Sequence, residues 1–254
     1  MPYFIFDPLL RDSSLAGYCA LTVMAKAPRA GKVKTRLSPS LTSEQAAELN
    51  ISFLKDTTEN LEAVATAGNA RGVISYTPVG EESLFDGILP AGFSLVAQRG
   101  DGFGERLLYT VEDLLACGFS AVCLIDSDSP TVPAEAFSQA VAALGQSGDR
   151  VVLGPSQDGG YYLIGLKQAH RAVFEGIPWS TATVYEKTVE AVHKAGLELV
   201  ELPRWYDVDD AESLQVLKSE LLEDVRPFFV SADGYVAPHS TRSLEQMYAV
   251  TEKV

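Results

Sequence analysis

Short apolar runs alternate with helical patterns along most of the chain, and this alternation restricts the possible folds more than any other feature. Seven runs rich in β-branched and apolar residues are predicted strands: residues 18–25, 72–78, 93–99, 120–125, 150–155, 161–166 and 197–203. Helical spacing of apolar residues recurs over 43–66, 104–117, 133–145, 182–195 and 210–223. The pattern predicts an α/β fold of three layers, α/β/α, built around a mainly parallel sheet.

The same pattern predicts a single domain over residues 18–223, because no repeat or low-complexity linker divides it. Residues 1–17 contain apolar residues, but Asp7, Arg11 and Asp12 interrupt them, so we expect an N-terminal arm and not a signal peptide. Residues 224–254 form a predicted C-terminal extension that packs on the domain or on a partner subunit. Its apolar side chains need cover, which makes a homodimer one interpretation.

Charge is distributed unevenly along the chain. The chain has 34 acidic and 20 basic residues, yet five of the basic residues lie within residues 24–37, which contain no acidic residue. The acidic remainder disfavours nucleic acid and anionic membranes as partners. No run reaches the roughly 18 apolar residues of a membrane span. The three cysteines lack a CxxC spacing, which predicts free thiols and a cytoplasmic protein.

The basic stretch directly follows the first predicted strand. In parallel sheets, ligands bind beyond the carboxyl ends of strands, and Lys and Arg neutralise phosphate oxygens. The sequence therefore predicts that the loop binds nucleotide phosphates through Lys26, Arg29, Lys32, Lys34 and Arg36. The loop is not a P-loop, because Val33 stands where that motif requires Ser or Thr after Gly-Lys. The alternative is a solvated basic loop.

Two acidic groups also follow predicted strands. Asp126 and Asp128 lie two residues apart after the fourth run, so in an extended backbone their side chains point the same way and can share Mg²⁺ or Mn²⁺. The alternative is that Asp128 or Ser129 caps the next helix. In the second group, Asp210 is the predicted cap of the last helix, which leaves Asp207 and Asp209 as carboxylates that could complete the metal site with Asp128.

Two further turns carry candidate substrate contacts. Asp158 precedes Gly159 and Gly160, and Asp-Gly is typical of a hairpin turn. Its functional interpretation is a close backbone approach to a ligand, with Asp158 binding a substrate hydroxyl or acting as a base. Trp179 is a candidate for stacking on the substrate, with core packing as the alternative, and Ser180 is a candidate contact or helix cap.

Six motifs occur in order between residues 20 and about 215: AKAPRAGKVKTRL, GERL, SDSP, GPSQDGGYYLIGL, IPWST and DVDD. Together they resemble the glycosyltransferase-like family of bacterial proteins in the GT-A, or nucleotide-diphospho-sugar transferase, superfamily. KTRL also resembles the Lys-Ser-Arg-Leu of phospholactate guanylyltransferase, and the superfamily includes the molybdenum cofactor guanylyltransferases. The resemblance implies a GT-A fold, nucleotide phosphates on the basic loop, and Asp128 and Asp209 as metal ligands. At position 126 the family more often has Gly, so Asp126 is either a third ligand or a neighbour.

Three functions are compatible with these residues. The first is metal-dependent glycosyl transfer from a nucleotide-sugar to a small-molecule acceptor, with Asp128 and Asp158 as the catalytic residues. The second is nucleotidyl transfer that releases pyrophosphate from a nucleoside triphosphate, which the number of basic residues in the loop favours. The third is a catalytically silent nucleotide-binding module.

Overall fold

A mixed sheet forms the centre of the molecule in the computed structural model, which describes residues 3–38 and 40–249. Within these residues seven strands follow the order β3-β2-β1-β4-β6-β5-β7. They are β1 (Cys19–Lys26), β2 (Ala70–Thr77), β3 (Ser94–Ala97), β4 (Ala121–Ile125), β5 (Arg150–Pro155), β6 (Tyr161–Leu166) and β7 (Glu198–Glu201). Strand β6 runs antiparallel to β4 and β5, and the other pairs are parallel. The prediction of a mainly parallel α/β sheet is confirmed.

Helices cover both faces of the sheet. They are α1 (Ser43–Ala67), α2 (Phe103–Cys117), α3 (Ala134–Gly145), α4 (Val184–Lys194), α5 (Ala211–Glu223) and α6 (Pro238–Ala249). A capping box begins α1, since Thr42 Oγ1 accepts a hydrogen bond from Gln45 N and Gln45 Oε1 accepts one from Thr42 N. Helix α6 was not predicted, because two of the three residues that it buries are serines, so apolar periodicity is missing.

The strands are apolar on both faces because the core has two halves. Leu21 and Val23 of β1 pack with α1, α3 and α5 on one face, while Ala20 packs with α2 and α4 on the other. Side chains alternate across a strand, so a strand between two helical layers must be apolar throughout. This explains why the strand signal in the sequence is continuous and why the three-layer prediction is correct.

The described N-terminal and C-terminal segments both rest on this core. Phe6 N donates to Leu95 O and Leu95 N donates to Phe4 O, both at 2.8 Å, so the N-terminal segment runs along the edge strand β3. Helix α6 packs on α1, where the carboxylate of Asp56 accepts hydrogen bonds from His239 N at 2.9 Å and Ser240 N at 2.7 Å. These are amides of the first turn of α6, which have no partner within the helix.

Two smaller findings concern the cysteines and the helices. All three cysteines are buried and free, and Cys19 Sγ lies 3.8 Å from Cys123 Sγ on the neighbouring strand. In the part of the chain that the structure describes, no helix combines the length and the apolar character needed to span a membrane.

Candidate active site

One cleft with two cavities opens beyond the carboxyl ends of β1 and β4. The acidic cavity, of about 720 Å³, is lined by five aspartates: Asp126, Asp128, Asp158, Asp207 and Asp209. The basic cavity, of about 520 Å³, is lined by five cationic side chains: Lys26, Lys32, Lys34, Arg36 and Arg106. Arg36, Asp128 and Asp209 line both cavities. The two cavities are therefore adjoining halves of one site, with opposite charge and a shared boundary.

Lys34 occupies the boundary as a buried cation. Its side chain is only 3% exposed, and Nζ lies 2.7 Å from Asp128 Oδ1 and 3.2 Å from Asp209 Oδ1. Nζ also donates to Val208 O at 2.7 Å, so three acceptors match the three N–H groups of the ammonium. Burial opposes the charged form, but attraction to Asp128 and Asp209 outweighs it and raises the pKa of Lys34. Lys34 thus connects the loops after β1, β4 and β7, and no N–H group of its ammonium is left for a phosphate.

The other predicted basic residues fall into two groups. Lys26, Lys32 and Arg36 line the basic cavity, and Arg36, whose side chain is 71% exposed, also forms an ion pair with Asp209. Arg29 lines neither cavity, because its Nε pairs with Glu81 Oε2 at 2.8 Å. The structure therefore brings four of the five predicted residues to the cleft and directs Arg29 away from it.

Asp126 is held within its own turn. Its Oδ1 accepts a hydrogen bond from Asp128 N at 3.2 Å, and its Oδ2 accepts one from Ser129 Oγ at 2.7 Å. Burial, then repulsion from Asp128 and Asp207, raises the pKa of Asp126 well above its usual range. The alternative, in which Asp128 or Ser129 caps the next helix, is wrong, because α3 begins at Ala134 and its N-cap is Pro133. Asp126 supports the turn that presents Asp128.

Asp207 and Asp209 follow β7 and differ in their electrostatic surroundings. Asp207 accepts a hydrogen bond from Ser156 Oγ at 2.8 Å, and burial together with repulsion from Asp158 raises its pKa to about 6. Burial also disfavours the charged form of Asp209, but Lys34 and Arg36 outweigh this and lower its pKa. One cavity therefore holds an ionised carboxylate beside one that titrates near neutrality. The next residue, Asp210, caps α5 as predicted.

The donor set for a divalent cation is a pair of carboxylates. Among the residues described, no three Asp, Glu, His or Cys side chains are arranged to hold a metal ion. Asp126 lines the acidic cavity alone, whereas Asp128 and Asp209 line both cavities and lie at their boundary. Mg²⁺ is commonly held by one or two carboxylates together with substrate phosphates. The pair fits a cation that arrives with a nucleotide, and the predicted trio with Asp126 is not preassembled.

Asp158, Gly159 and Gly160 form the hairpin turn between β5 and β6. Gly160 N donates to Asp158 Oδ1 at 2.8 Å, and Asp158 and Gly160 line the acidic cavity. Gly159 has φ +91°, and a Cβ at this position would lie 2.0 Å from Ala182 O. The predicted close approach of Gly159 to a ligand stays a prediction; within the described chain, Gly159 lies against the backbone of segment 177–183 and lines neither cavity. This contact places the segment beside the acidic cavity.

Segment 177–183 supplies an aromatic wall. The ring centroid of Trp179 lies 5.2 Å from that of Phe103 and 6.4 Å from that of Tyr161, and both contacts are edge to face. All three residues line the acidic cavity. Trp179 also packs against Gly104, where an added Cβ would lie 2.4 Å from Nε1 of Trp179. Ser180 lines both cavities and does not cap α4, whose N-cap is Thr183. Trp179 is therefore both packed and available to a ligand.

Two residues of the cleft had no assigned role in the sequence analysis, and Asp207 had one only as a possible metal ligand. Arg106 belongs to the GERL motif, so the motif contained the signal although the residue was not singled out. Asn50 of α1 is buried and lines the basic cavity, and its Oδ1 has no hydrogen-bond partner. Nothing in the helical pattern of α1 separates Asn50 from an ordinary polar position.

Comparison with known proteins assigns the chain to a family. The chain is 31% identical to a protein from Desulfovibrio desulfuricans G20, described as a putative nucleotide-diphospho-sugar transferase, over 94% of this chain and 98% of that one, with a TM-score of 0.77. Residues 60–181 match the family described as uncharacterized protein conserved in bacteria (DUF2064). The chain belongs to the same family as the protein from Desulfovibrio desulfuricans G20. This confirms the superfamily that the six motifs imply.

Two more distant solved structures share the fold alone. One is CMP:2-keto-3-deoxy-manno-octonic acid synthetase complexed with CTP, at 10% identity and a TM-score of 0.53 over 82% of this chain and 100% of that one. The other is 4-diphosphocytidyl-2C-methyl-D-erythritol synthase from Anaerococcus prevotii DSM 20548, at 11% identity and a TM-score of 0.50 over 83% and 99% of the two chains. The comparison with curated proteins gives no match.

Proposed function

We propose that the protein is a divalent-metal-dependent nucleotide-diphospho-sugar transferase that moves a glycosyl group to a small-molecule acceptor. The observation that supports this proposal is the junction of the two cavities at Asp128, Asp209 and Arg36. A nucleotide-sugar needs cations for its diphosphate and an adjoining space for sugar and acceptor. The basic and acidic cavities meet both requirements. The 31% identical relative is described as a putative nucleotide-diphospho-sugar transferase.

The basic cavity would hold the nucleotide. Lys26, Lys32 and Arg106 supply positive charge for phosphate oxygens, and the unpartnered Oδ1 of Asn50 is an acceptor for a ligand hydroxyl or amine. A divalent cation, when bound by Asp128 and Asp209, would offset the negative charge of the diphosphate leaving group. Lys34 holds these two carboxylates in place.

The acidic cavity would hold the reacting groups. The oxygen of an acceptor hydroxyl attacks the anomeric carbon, and the bond from that carbon to the diphosphate oxygen breaks. The diphosphate leaves with the electron pair, and the hydroxyl proton passes to a carboxylate. Asp158 is the predicted base, and Asp207 is a second candidate, because a pKa of about 6 suits a general base near neutral pH.

Nucleotidyl transfer is the alternative that one observation favours. Four cationic side chains besides Lys34 line the basic cavity, which suits a triphosphate better than a diphosphate. In that reaction a phosphorylated acceptor attacks the α-phosphorus and pyrophosphate leaves.

Thermal-shift measurements with nucleoside triphosphates and nucleotide-sugars, with and without Mn²⁺, test the proposal. A ligand at 100 times its dissociation constant stabilises the folded protein by about 2.7 kcal/mol. We expect Mn²⁺-dependent stabilisation by a nucleotide-sugar, and release of nucleoside diphosphate when acceptors are added. Stabilisation by a triphosphate with pyrophosphate release would select the alternative. Nucleotide binding that is indifferent to metal would contradict both and favour the silent module.

Two matched variants localise the nucleotide. Arg106→Met should weaken nucleotide binding at least tenfold, because it removes a charged donor from the basic cavity. Arg29→Met should leave binding unchanged, because Arg29 pairs with Glu81 outside both cavities. Asp128→Ala should abolish the effect of Mn²⁺. Equal behaviour of the two arginine variants would show that the nucleotide does not occupy the basic cavity.

A further inference from the structure

The charge of the acidic cavity restricts the chemistry of the acceptor. Five aspartates line this cavity, and among the described residues Arg36 is the one Lys, Arg or His side chain in its lining. Arg36 is itself paired with Asp209. The shared ammonium of Lys34 compensates Asp128 and Asp209, which leaves Asp158 and Asp207 without a cationic partner on this side. A divalent cation bound by Asp128 and Asp209 would be balanced by the diphosphate of the nucleotide-sugar, so an anionic acceptor entering beside Asp158 and Asp207 would lose hydration and meet carboxylates instead of an uncompensated cation.

The rest of the lining suits an uncharged compound. Phe103, Tyr161 and Trp179 form one wall, with the edge-to-face contacts described above. Carboxylates accept hydrogen bonds from hydroxyl and amine groups, and aromatic rings attract apolar C–H faces and cations. A wall of aromatic rings together with a group of hydrogen-bond acceptors therefore matches a small polyol or sugar, with or without an amine.

We propose that the acceptor is a small hydroxyl compound that carries neither a phosphate nor a carboxylate group. This inference rests on the proposed glycosyl transfer and makes it more specific. In the nucleotidyl alternative, the attacking group is itself a phosphate and would have to approach through the carboxylates. The electrostatics of the acidic cavity thus favour an attacking hydroxyl.

Collisional quenching of tryptophan fluorescence measures the sign of the potential in the cavity without any substrate. The chain has two tryptophans; Trp205 is buried, and Trp179 lines the cavity, so quenching reports on Trp179. A potential of about one kT would raise the local concentration of Cs⁺ and lower that of I⁻ by roughly threefold each. We expect Cs⁺ to quench more strongly than I⁻ relative to N-acetyltryptophanamide, with acrylamide as the neutral reference.

Two variants serve as controls for the quenching. Trp179→Phe should abolish it, and Asp158→Asn should reduce the preference for Cs⁺. Quenching by I⁻ that equals or exceeds quenching by Cs⁺ in the wild-type protein would overturn the inference.

Matched acceptors test the chemistry directly. With the nucleotide-sugar chosen by thermal shift, nucleoside diphosphate release is measured with glycerol against glycerol 3-phosphate, and with glucose and glucosamine against glucose 6-phosphate. We expect the unphosphorylated members to react at least tenfold faster, and faster reaction of a phosphorylated member would overturn the inference. A protein that binds no nucleotide would refute the proposed function, while the quenching result would still report the charge of the cavity.

Discussion

At the scale of single residues, Lys34 shows how burial changes the role of a basic side chain. In the sequence it is one of five cations of a phosphate-binding loop, but its ammonium is almost fully buried between Asp128 and Asp209. A buried charge whose partner is removed is costly, because the remaining charge is desolvated without compensation. Lys34 is therefore a structural cation of the site, and the exposed Lys32 of the same loop is not.

This difference predicts unequal costs for the same substitution. Lys34→Met should lower the free energy of unfolding by about 3 kcal/mol, since it leaves two partly buried carboxylates beside each other. Lys32→Met should change it by less than about 0.5 kcal/mol, because that side chain is exposed. Urea unfolding of both variants makes the comparison, and similar costs would contradict the assignment of Lys34 as the internal cation.

Asp207 predicts a stability that depends on pH. Its folded-state pKa of about 6 lies above the usual 3.8, so the folded state loses stability as the pH rises from about 4 to about 6, and this cost stays constant above pH 6. Asp207→Asn removes this cost and should raise the free energy of unfolding at pH 8 by at most about 3 kcal/mol. The gain should vanish below about pH 4, where both states of the wild type are protonated. Unfolding curves at several pH values measure it, and a gain that persists at low pH would refute the electrostatic explanation.

At the scale of elements, the β5–β6 hairpin positions the wall of the acidic cavity. The turn contains Gly159, which has a positive φ and lies against Ala182 of the segment that carries Trp179. Tyr185 N, in the first turn of α4 directly after the segment, donates to Gly159 O at 2.8 Å, so the hairpin is also hydrogen-bonded to α4. The position of Trp179 therefore depends on the absence of a side chain at position 159.

A pair of glycine substitutions separates backbone strain from steric contact. Gly148 also has a positive φ, of +88°, but the nearest atom to a Cβ there is 3.6 Å away, on the guanidinium of Arg150. Gly148→Ala should cost about 1 kcal/mol from strain alone. Gly159→Ala should cost more than about 3 kcal/mol and shift the fluorescence of Trp179, because the segment has to move. Equal effects of the two substitutions would show that the contact with Ala182 does not position the segment.

At the scale of the whole molecule, the chain after α5 returns to the domain through α6. The carboxylate of Asp56 accepts hydrogen bonds from the first amides of α6 and from Ser240 Oγ. Negative charge at a helix N-terminus is favourable, so one buried side chain of α1 both caps and anchors the last helix. The division into arm, domain and extension stays a prediction, and this contact offers a way to test it.

Removing the anchor should release the extension. Asp56→Ala leaves buried amides without acceptors, so we expect a loss of about 1 kcal/mol or more and faster hydrogen exchange in α6. Glu59→Ala removes the exposed ion pair with His239 and should cost less than about 0.5 kcal/mol. Unchanged exchange in α6 of the Asp56 variant would mean that other contacts hold the extension.

Much of the fold and part of the site could be predicted from the sequence. Strand and helix bounds are predictable because burial decides which neighbouring residues are apolar. A strand covered on both faces is a continuous apolar run, and a helix covered on one face has an apolar residue at every third or fourth position. The carboxyl ends of β1 and β4 were expected to carry the site, and Lys26, Arg36, Asp128 and Asp158 lie there. Helix α6 escaped prediction because it buries serines.

The amino-acid sequence by itself determined the alternating elements, the position of acidic residues directly after strands, and the concentration of basic residues after the first strand. Only the tertiary structure decided which charges meet. Lys34 and Asp209 are 175 positions apart, and the chain brings them to 3.2 Å, while Arg29 of the same loop pairs with Glu81. The periodicity of apolar residues indicates which residues are buried and which are exposed within one helix or strand. The partners of a charge depend on how distant loops pack, and no local pattern encodes that packing.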